Sequence, residues 1–319
     1  MNCQYDALVA SVRLKDITSS AENRALLHRI MNNDPALTSL YIDDSYDEYD
    51  DDEEFGIFVV RERDDLGWLG YFVGRNESLT ELSVFILTKG ITNLTTHRDR
   101  IETFFDGTQH NKSIKKIEFD ANSLPSFVFS AINFPHVTTL EISFNHDSEK
   151  AHHLAVGLQR CKSLKIYSGP VTAEISESLA TLPVLEQVAL ESRAMAISRD
   201  ECAALGKLLA KATKMKKLRI RGAGFGNDGL EFLAEGLACN SSLADGELDL
   251  SRSNVGDEGL QALASSLASN TKLRKLDLGY NNIGDTGLEA LADSLVHNRA
   301  LRFLSVAENR AITATGLRA

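Results

Sequence analysis

Cysteine is scarce in this chain of 319 residues: four, Cys3, Cys161, Cys202 and Cys239, widely spaced and with no C-x-x-C pair. That spacing excludes a disulfide framework and a zinc finger and fits a reducing compartment. Long apolar runs are missing too, so no segment reads as a bilayer span. The opening MNCQYDALVASVRLKD has no basic head followed by an apolar stretch, the mark of a secretory signal. The expected location is therefore the cytoplasm, with the nucleus as a further compartment. The four N-x-S/T sequons at Asn76, Asn93, Asn111 and Asn240 read as coincidence. Catalytic signatures are absent: no G-x-S-x-G, no P-loop and no H-E-x-x-H. A basic excess is also lacking. The net charge is −11, and nine acids fall within DDSYDEYDDDEE, Asp43 to Glu54, leaving the rest near −2. Neither nucleic acid nor a membrane surface is an expected partner.

What the chain does have is repetition. LRKLDLGYNNIGDTGLEALADSL, from Leu273, echoes ELDLSRSNVGDEGLQALASSL 28 positions earlier. Leu276 and Leu278 lie two apart, the spacing of one strand face. Leu288, Leu291 and Leu295 lie three and four apart, one stripe of a helix. Thr286 with Glu289 predicts a capping box, and Asn298 a left-handed helix stop. Each unit therefore predicts a strand, a turn and a helix. Central apolar anchors fall at Leu40, Leu82, Ile117, Leu140, Leu164, Val188, Leu218, Leu248, Leu276 and Leu304, with steps of 42, 35, 23, 24, 24, 30, 30, 28 and 28. The steps of 23–24 leave room for only a short helix. Asn122, Asn145, Asn281 and Asn309 supply an amide for the turn after the strand, whereas Gly169, Arg193, Ala223 and Ser253 do not. Near the N-terminus, Ala25, Leu26 and Ile30 after Ser19 or Ser20 predict an amphipathic helix.

These phrases resemble the leucine-rich repeats of the ribonuclease-inhibitor class, most closely from Leu185 to Asn309. The resemblance implies an α/β solenoid, a curved right-handed array with a parallel sheet on its concave face and helices on its convex face. Residues 1–35 are expected to cap it and 36–319 to form the repeats: irregular over 36–135 with an acidic insertion at 43–54, short over 136–184, and ribonuclease-inhibitor-like over 185–319, the last repeat being incomplete. Family members of this kind hold other proteins. The expected function is a non-enzymatic, monomeric scaffold for a protein partner, without cofactor or metal. The alternative is a GTPase activator of the Ran type acting on a small GTPase.

Strand residues beside the core leucines face away from the core. In the last repeats they are Lys217, Arg219 and Arg221; Glu247, Asp249 and the nearby Arg252; Lys275, Asp277 and the nearby Tyr280; and Phe303. Two readings compete. Opposite charges on neighbouring strands can pair with each other, or Arg219, Arg221, Tyr280 and Phe303 can anchor a partner. For the activator alternative the candidates are Arg219, Arg221 and Arg252. The acidic run reads as a solvated loop, with a basic partner or a metal as its other uses. His146, His152 and His153, beside Asp147 and Glu149, read as surface or packing histidines. The glycines of RGAGFGNDG fall at a turn that every repeat has, and phosphate binding is not expected there.

Overall fold

The computed structural model describes the chain apart from residues 1, 44–54, 61–64, 86–93, 121–123, 125, 131–132, 144–146, 171, 192–196, 222–223, 241–242, 244–245 and 319. It forms two compact units, Met1–Lys162 and Ser163–Ala319.

The first unit begins with three helices, α1 (Asn2–Leu8), α2 (Leu14–Ile17) and α3 (Ala21–Met31). Ser20 caps α3 by accepting the Asn23 N–H at 3.0 Å. The buried face of α3 is Asn23, Leu26, Leu27 and Ile30; Ala25, expected in that stripe, is exposed. Strands β1 (Ser39–Asp43), β2 (Phe55–Val59), β3 (Glu81–Phe85), β4 (Lys116–Asp120) and β5 (Thr139–Ser143) are all parallel, in the spatial order β5-β4-β3-β1-β2. The anchors Leu40, Leu82, Ile117 and Leu140 stand in register across adjoining strands. Strand β2 was not foreseen. It follows the insertion, lies on the other side of β1 from β3, and buries Gly56 and Phe58. Of the acidic run, Asp43 ends β1 and is buried, and the remainder lies outside the described residues.

Helices α4 (Leu66–Arg75), α5 (Leu94–Thr108), α6 (Phe127–Ser130) and α7 (Ser148–Leu158) complete this unit. Its core is rich in aromatic rings. Trp68, Tyr71 and Phe72 of α4 are buried, and Tyr5 of α1 meets the Trp68 ring edge-on at 4.7 Å. Helices α4 and α5 touch backbone to backbone: a methyl on Gly70 would fall on the Phe104 carbonyl, and one on Gly74 on the Gly107 carbonyl.

The second unit repeats more evenly. Strands β6 (Ile166–Gly169), β7 (Gln187–Glu191), β8 (Lys217–Arg221), β9 (Gly246–Asp249), β10 (Leu273–Asp277) and β11 (Phe303–Ser305) are parallel and spatially consecutive. Between them run α8 (Ala173–Leu179), α9 (Arg199–Lys211), α10 (Gly226–Cys239), α11 (Asp257–Ser269) and α12 (Asp285–Leu295), followed by a 3₁₀ turn at Gly316–Arg318. Val188, Leu218, Leu248, Leu276 and Leu304 occupy equivalent places on successive strands. Each of the first four is at most 1 % exposed, and full burial of such a side chain is worth about 1.5–3 kcal/mol.

One anchor is misplaced in the sequence reading. Tyr167, not Leu164, stands beside Val188, and its ring is fully buried. Leu164 is the first leucine of its motif rather than the middle one. Counting the motif from Leu164 would turn Tyr167 away from the core; counting from Tyr167 puts its ring where the other repeats put a leucine. The correction lengthens the preceding step, which explains how α7 reaches 11 residues where a short helix was expected.

The predicted caps are also replaced. Helix α12 starts after Gly284 with no side-chain cap of its own, so Thr286 and Glu289 form no capping box. The cap comes from the previous repeat: Asp257 Oδ1 accepts the Gly284 N–H at 2.7 Å. The same bond recurs one rung to either side, from Gly256 to Asn227 at 2.9 Å and from Thr313 to Asp285 at 2.7 Å. Bonds from the Thr313 hydroxyl and N–H hold the Asp285 carboxyl below its usual pKa.

Asn298 does not take a left-handed conformation; Val296, in ordinary helical geometry, closes α12. Its side chain instead donates to the carbonyls of Leu267 and Asn270 and accepts the N–H groups of Ala300 and Leu301. Asn270 and Asn240 do the same one and two repeats earlier. In the first unit Asn76 donates to the Ile30 carbonyl, and Asn111 to those of Val73 and Asn76. These asparagines tie each helix end to the next and lie three residues before the first apolar residue of each strand motif. Three of the four sequon asparagines, Asn76, Asn111 and Asn240, are therefore structural positions with buried side chains. Asn93 lies outside the described residues.

Candidate protein-binding face

A second asparagine row follows the strands. Asn281 Oδ1 accepts the N–H groups of Ser253 and Val255 at 3.0 and 3.1 Å, and its Nδ2 donates to Leu250, Leu278 and Gly279 carbonyls. Asn309 repeats this one rung on, accepting from Ile283 and donating to Leu278. Ser253, expected to break the row, continues it by donating to the Ile220 carbonyl at 2.8 Å. Asn122, Asn145, Arg193 and Ala223 lie outside the described residues. This row fixes where the chain leaves each strand and so positions the side chains on the open face of the sheet.

On that face the named residues separate into two groups. Lys217 Nζ lies 2.7 Å from Glu247 Oε1. Arg219 and Arg221 both reach Asp249 Oδ2, at 3.0 and 2.7 Å, and Arg221 also donates to the Ser251 hydroxyl at 3.2 Å. Asp249, assigned to the open surface from the sequence, is buried beneath these two guanidinium groups. Burial opposes its ionisation, but the Ser251 hydroxyl and N–H, together with Arg221, outweigh that and hold its carboxyl below the usual range. The basic row of β8 is thus paired with the acidic row of β9, as neighbouring-strand pairing anticipates.

The second group faces solvent. Lys275 is exposed, and Phe303, its register neighbour on β11, is 53 % exposed. Tyr280 is 54 % exposed, with the Arg252 guanidinium 4.5 Å from its ring centroid. Asp277, half-buried, accepts the Gly279 N–H at 2.9 Å. Small residues, Gly279, Ser305 and Ala307, lie in and just after these two strands.

The histidine group offers no ligand set. Asp147 caps α7 by accepting the Lys150 N–H, and Glu149 accepts from Ser126 at 2.6 Å. His146 lies outside the described residues, and no cluster among the described residues has metal-binding geometry. The glycine-rich turn is occupied by the fold: Gly226 takes a φ of +63° and donates its N–H to the Ser253 carbonyl. Among the described residues no helix is long and apolar enough to cross a membrane.

The leucine-rich repeat family model matches residues 247–264 and 269–292, which span β9, α11, β10 and most of α12. Over these residues the chain carries leucine-rich repeats. No curated protein matches it by sequence. Solved structures similar to it include actin-binding site 2 of leiomodin-1 (18 % identity, 42 % of this chain and 76 % of that one, TM-score 0.36). Others are a Bacteroides fragilis protein (17 %, 75 % and 69 %, TM-score 0.46) and TLR13 in complex with ssRNA13 (15 %, 76 % and 30 %, TM-score 0.45). What those names say of actin and RNA belongs to those proteins. The leucine-rich repeat fold itself is that of an α/β solenoid, with parallel strands alternating with helices along the described chain.

Proposed function

We propose that this protein is a non-enzymatic scaffold of the ribonuclease-inhibitor-like class that holds a protein partner on the open face of its last repeats. One observation carries the reading. Every exposed large hydrophobic side chain among the described residues of the second unit falls after position 279, and two of them, Tyr280 and Phe303, stand on or beside the open sheet face. Tyrosine in such a place commonly supplies interface energy. Lys275 and Arg252 add charge beside them.

The contact is centred on Lys275, Tyr280 and Phe303 rather than on Lys217, Arg219 and Arg221. The latter three are engaged with Glu247 and Asp249, so reversing their charge would oppose buried Asp249 with like charges and damage the fold itself. Phe303→Ala combined with Lys275→Glu is the cleaner test, since neither side chain is buried. Affinity purification with quantitative mass spectrometry should find a protein retained by the wild type and lost by this variant. An identical set of retained proteins would overturn the proposal.

Activation of a small GTPase of the Ran type would work by ordering the partner's own residues or by adding charge to the transition state. Of the three arginines considered, Arg219 and Arg221 are held by Asp249, which leaves Arg252. Stimulated GTP hydrolysis by a Ran-like GTPase is the outcome that reading requires, and its loss in Arg252→Ala would assign the added charge.

A further inference from the structure

Three residues one repeat apart share an unusual backbone. Arg252, Tyr280 and Glu308 have φ values of +60°, +57° and +58°. L-residues in this left-handed region are strained, and glycine takes it without penalty. The backbone bonds at the site would survive glycine: the Arg252 N–H donates to the Gly279 carbonyl at 3.0 Å and the Tyr280 N–H to that of Ala307 at 2.8 Å. Nearby Asn254, at +58°, has a structural reason for its side chain, which accepts from Asn282 Nδ2 at 2.5 Å. Arg252, Tyr280 and Glu308 make no such side-chain hydrogen bond or ion pair among the described residues, and all three are exposed. Large side chains kept at a strained, exposed position in three successive repeats point to what they present rather than to what they support.

What they present is ordered. Arg252 covers one face of the Tyr280 ring. Glu308 occupies the equivalent backbone position on the next rung, so Arg252 and Glu308 come from the rungs on either side of Tyr280. A cation stacking on the half-exposed ring would repeat the contact that Arg252 already makes and could gain a carboxylate that Arg252 does not have. An anion would meet Glu308 instead.

We infer that this ridge receives a basic side chain, lysine or arginine, of the bound protein, which stacks on the Tyr280 ring and pairs with Glu308. The inference rests on the reading that the open face of these repeats holds a protein. A random peptide library displayed on phage and panned against the full chain tests it, with affinities of the selected peptides measured by fluorescence anisotropy. Selected peptides should share a lysine or arginine at one position. Replacing that residue by glutamine, or using Tyr280→Gly or Glu308→Lys, should weaken binding about three- to tenfold. Panning against Glu308→Lys should bring aspartate or glutamate to the same position. Tyr280→Gly relieves the backbone, so it should melt no lower than the wild type, which separates lost binding from lost fold. If no basic position recurs, or if binders ignore both Tyr280→Gly and Glu308→Lys while Phe303→Ala abolishes binding, the inference fails and the binding face stands. If Phe303→Ala is also without effect, or the library yields no binder, both fail.

Discussion

The two units build parallel strands and helices from different materials. The first buries Trp68, Tyr71, Phe72, Phe104, Phe119 and Phe129, whereas Tyr167 and Phe225 are the buried aromatics among the described residues of the second. The second uses leucine at equivalent sites with steps of 30, 30, 28 and 28 after Val188. Equal steps matter because they return the same atoms to the same place one rung along. That is why Asn281 and Asn309, or Asn227, Asp257 and Asp285, can each satisfy a neighbour's backbone in the same way. Unequal steps in the first unit leave varied gaps, which large rings fill. It keeps the helix-end asparagines Asn76 and Asn111, whose bonds need only two helix ends to meet. Regular repetition thus distributes stability into hydrogen-bonded rows, and irregular repetition into packing.

Five measurements break or sharpen this contrast. The largest effect is expected in the first unit from Gly70→Ala. The added methyl meets the Phe104 backbone, which cannot rotate away, so urea denaturation should show a loss of about 3 kcal/mol or more. Gly206→Ala, which meets the Phe232 carbonyl between α9 and α10, should behave alike and shows that close helix approach is common to both units.

Next is Asn281→Ala. It leaves two N–H groups and up to three carbonyls of the second unit without their partner, and should cost about 2–3 kcal/mol in the same assay. A cost below that of an exposed substitution would mean the hydrogen-bonded row is not what stabilises the regular repeats.

Asp249→Asn should cost about 2 kcal/mol near neutral pH. Because the folded carboxyl titrates below its usual value of 3.8, its contribution is complete above that value and is lost as the pH falls through the lower folded value. The variant should therefore have a flatter acid limb than the wild type in stability measured against pH. An unchanged limb would remove Asp249 from the account.

The smallest effect belongs to the pair Lys217 and Glu247, both side chains 29 % exposed. A double-mutant cycle to alanine should give a coupling of about 0.5 kcal/mol.

Much of this was legible in the residues. The strand anchors Leu40, Leu82, Ile117 and Leu140, and those from Val188 to Leu304, were readable because burial of one strand face imposes a period of two and stacking imposes a fixed step. The helix-end asparagines were also present in the text, three places before each strand motif, but the sequon pattern disguised Asn76, Asn111 and Asn240, and Asn298 read as a helix stop. Tyr167 was missed because only packing shows that a tyrosine ring fills a leucine site. Strand β2 was missed because nothing local in FGIFV says which edge it joins. On the candidate face, the residues Lys217 to Phe303 could be named from alternation alone, but whether each was engaged or free could not.

The sequence by itself determined the repeating strand and helix, since period and step follow from which side chains avoid water. Only the tertiary structure decided which charges are already paired, which caps come from the neighbouring repeat, and which side chains stand in a strained left-handed backbone. Those depend on distances between atoms about 28 residues apart, and a local pattern carries no information about distance.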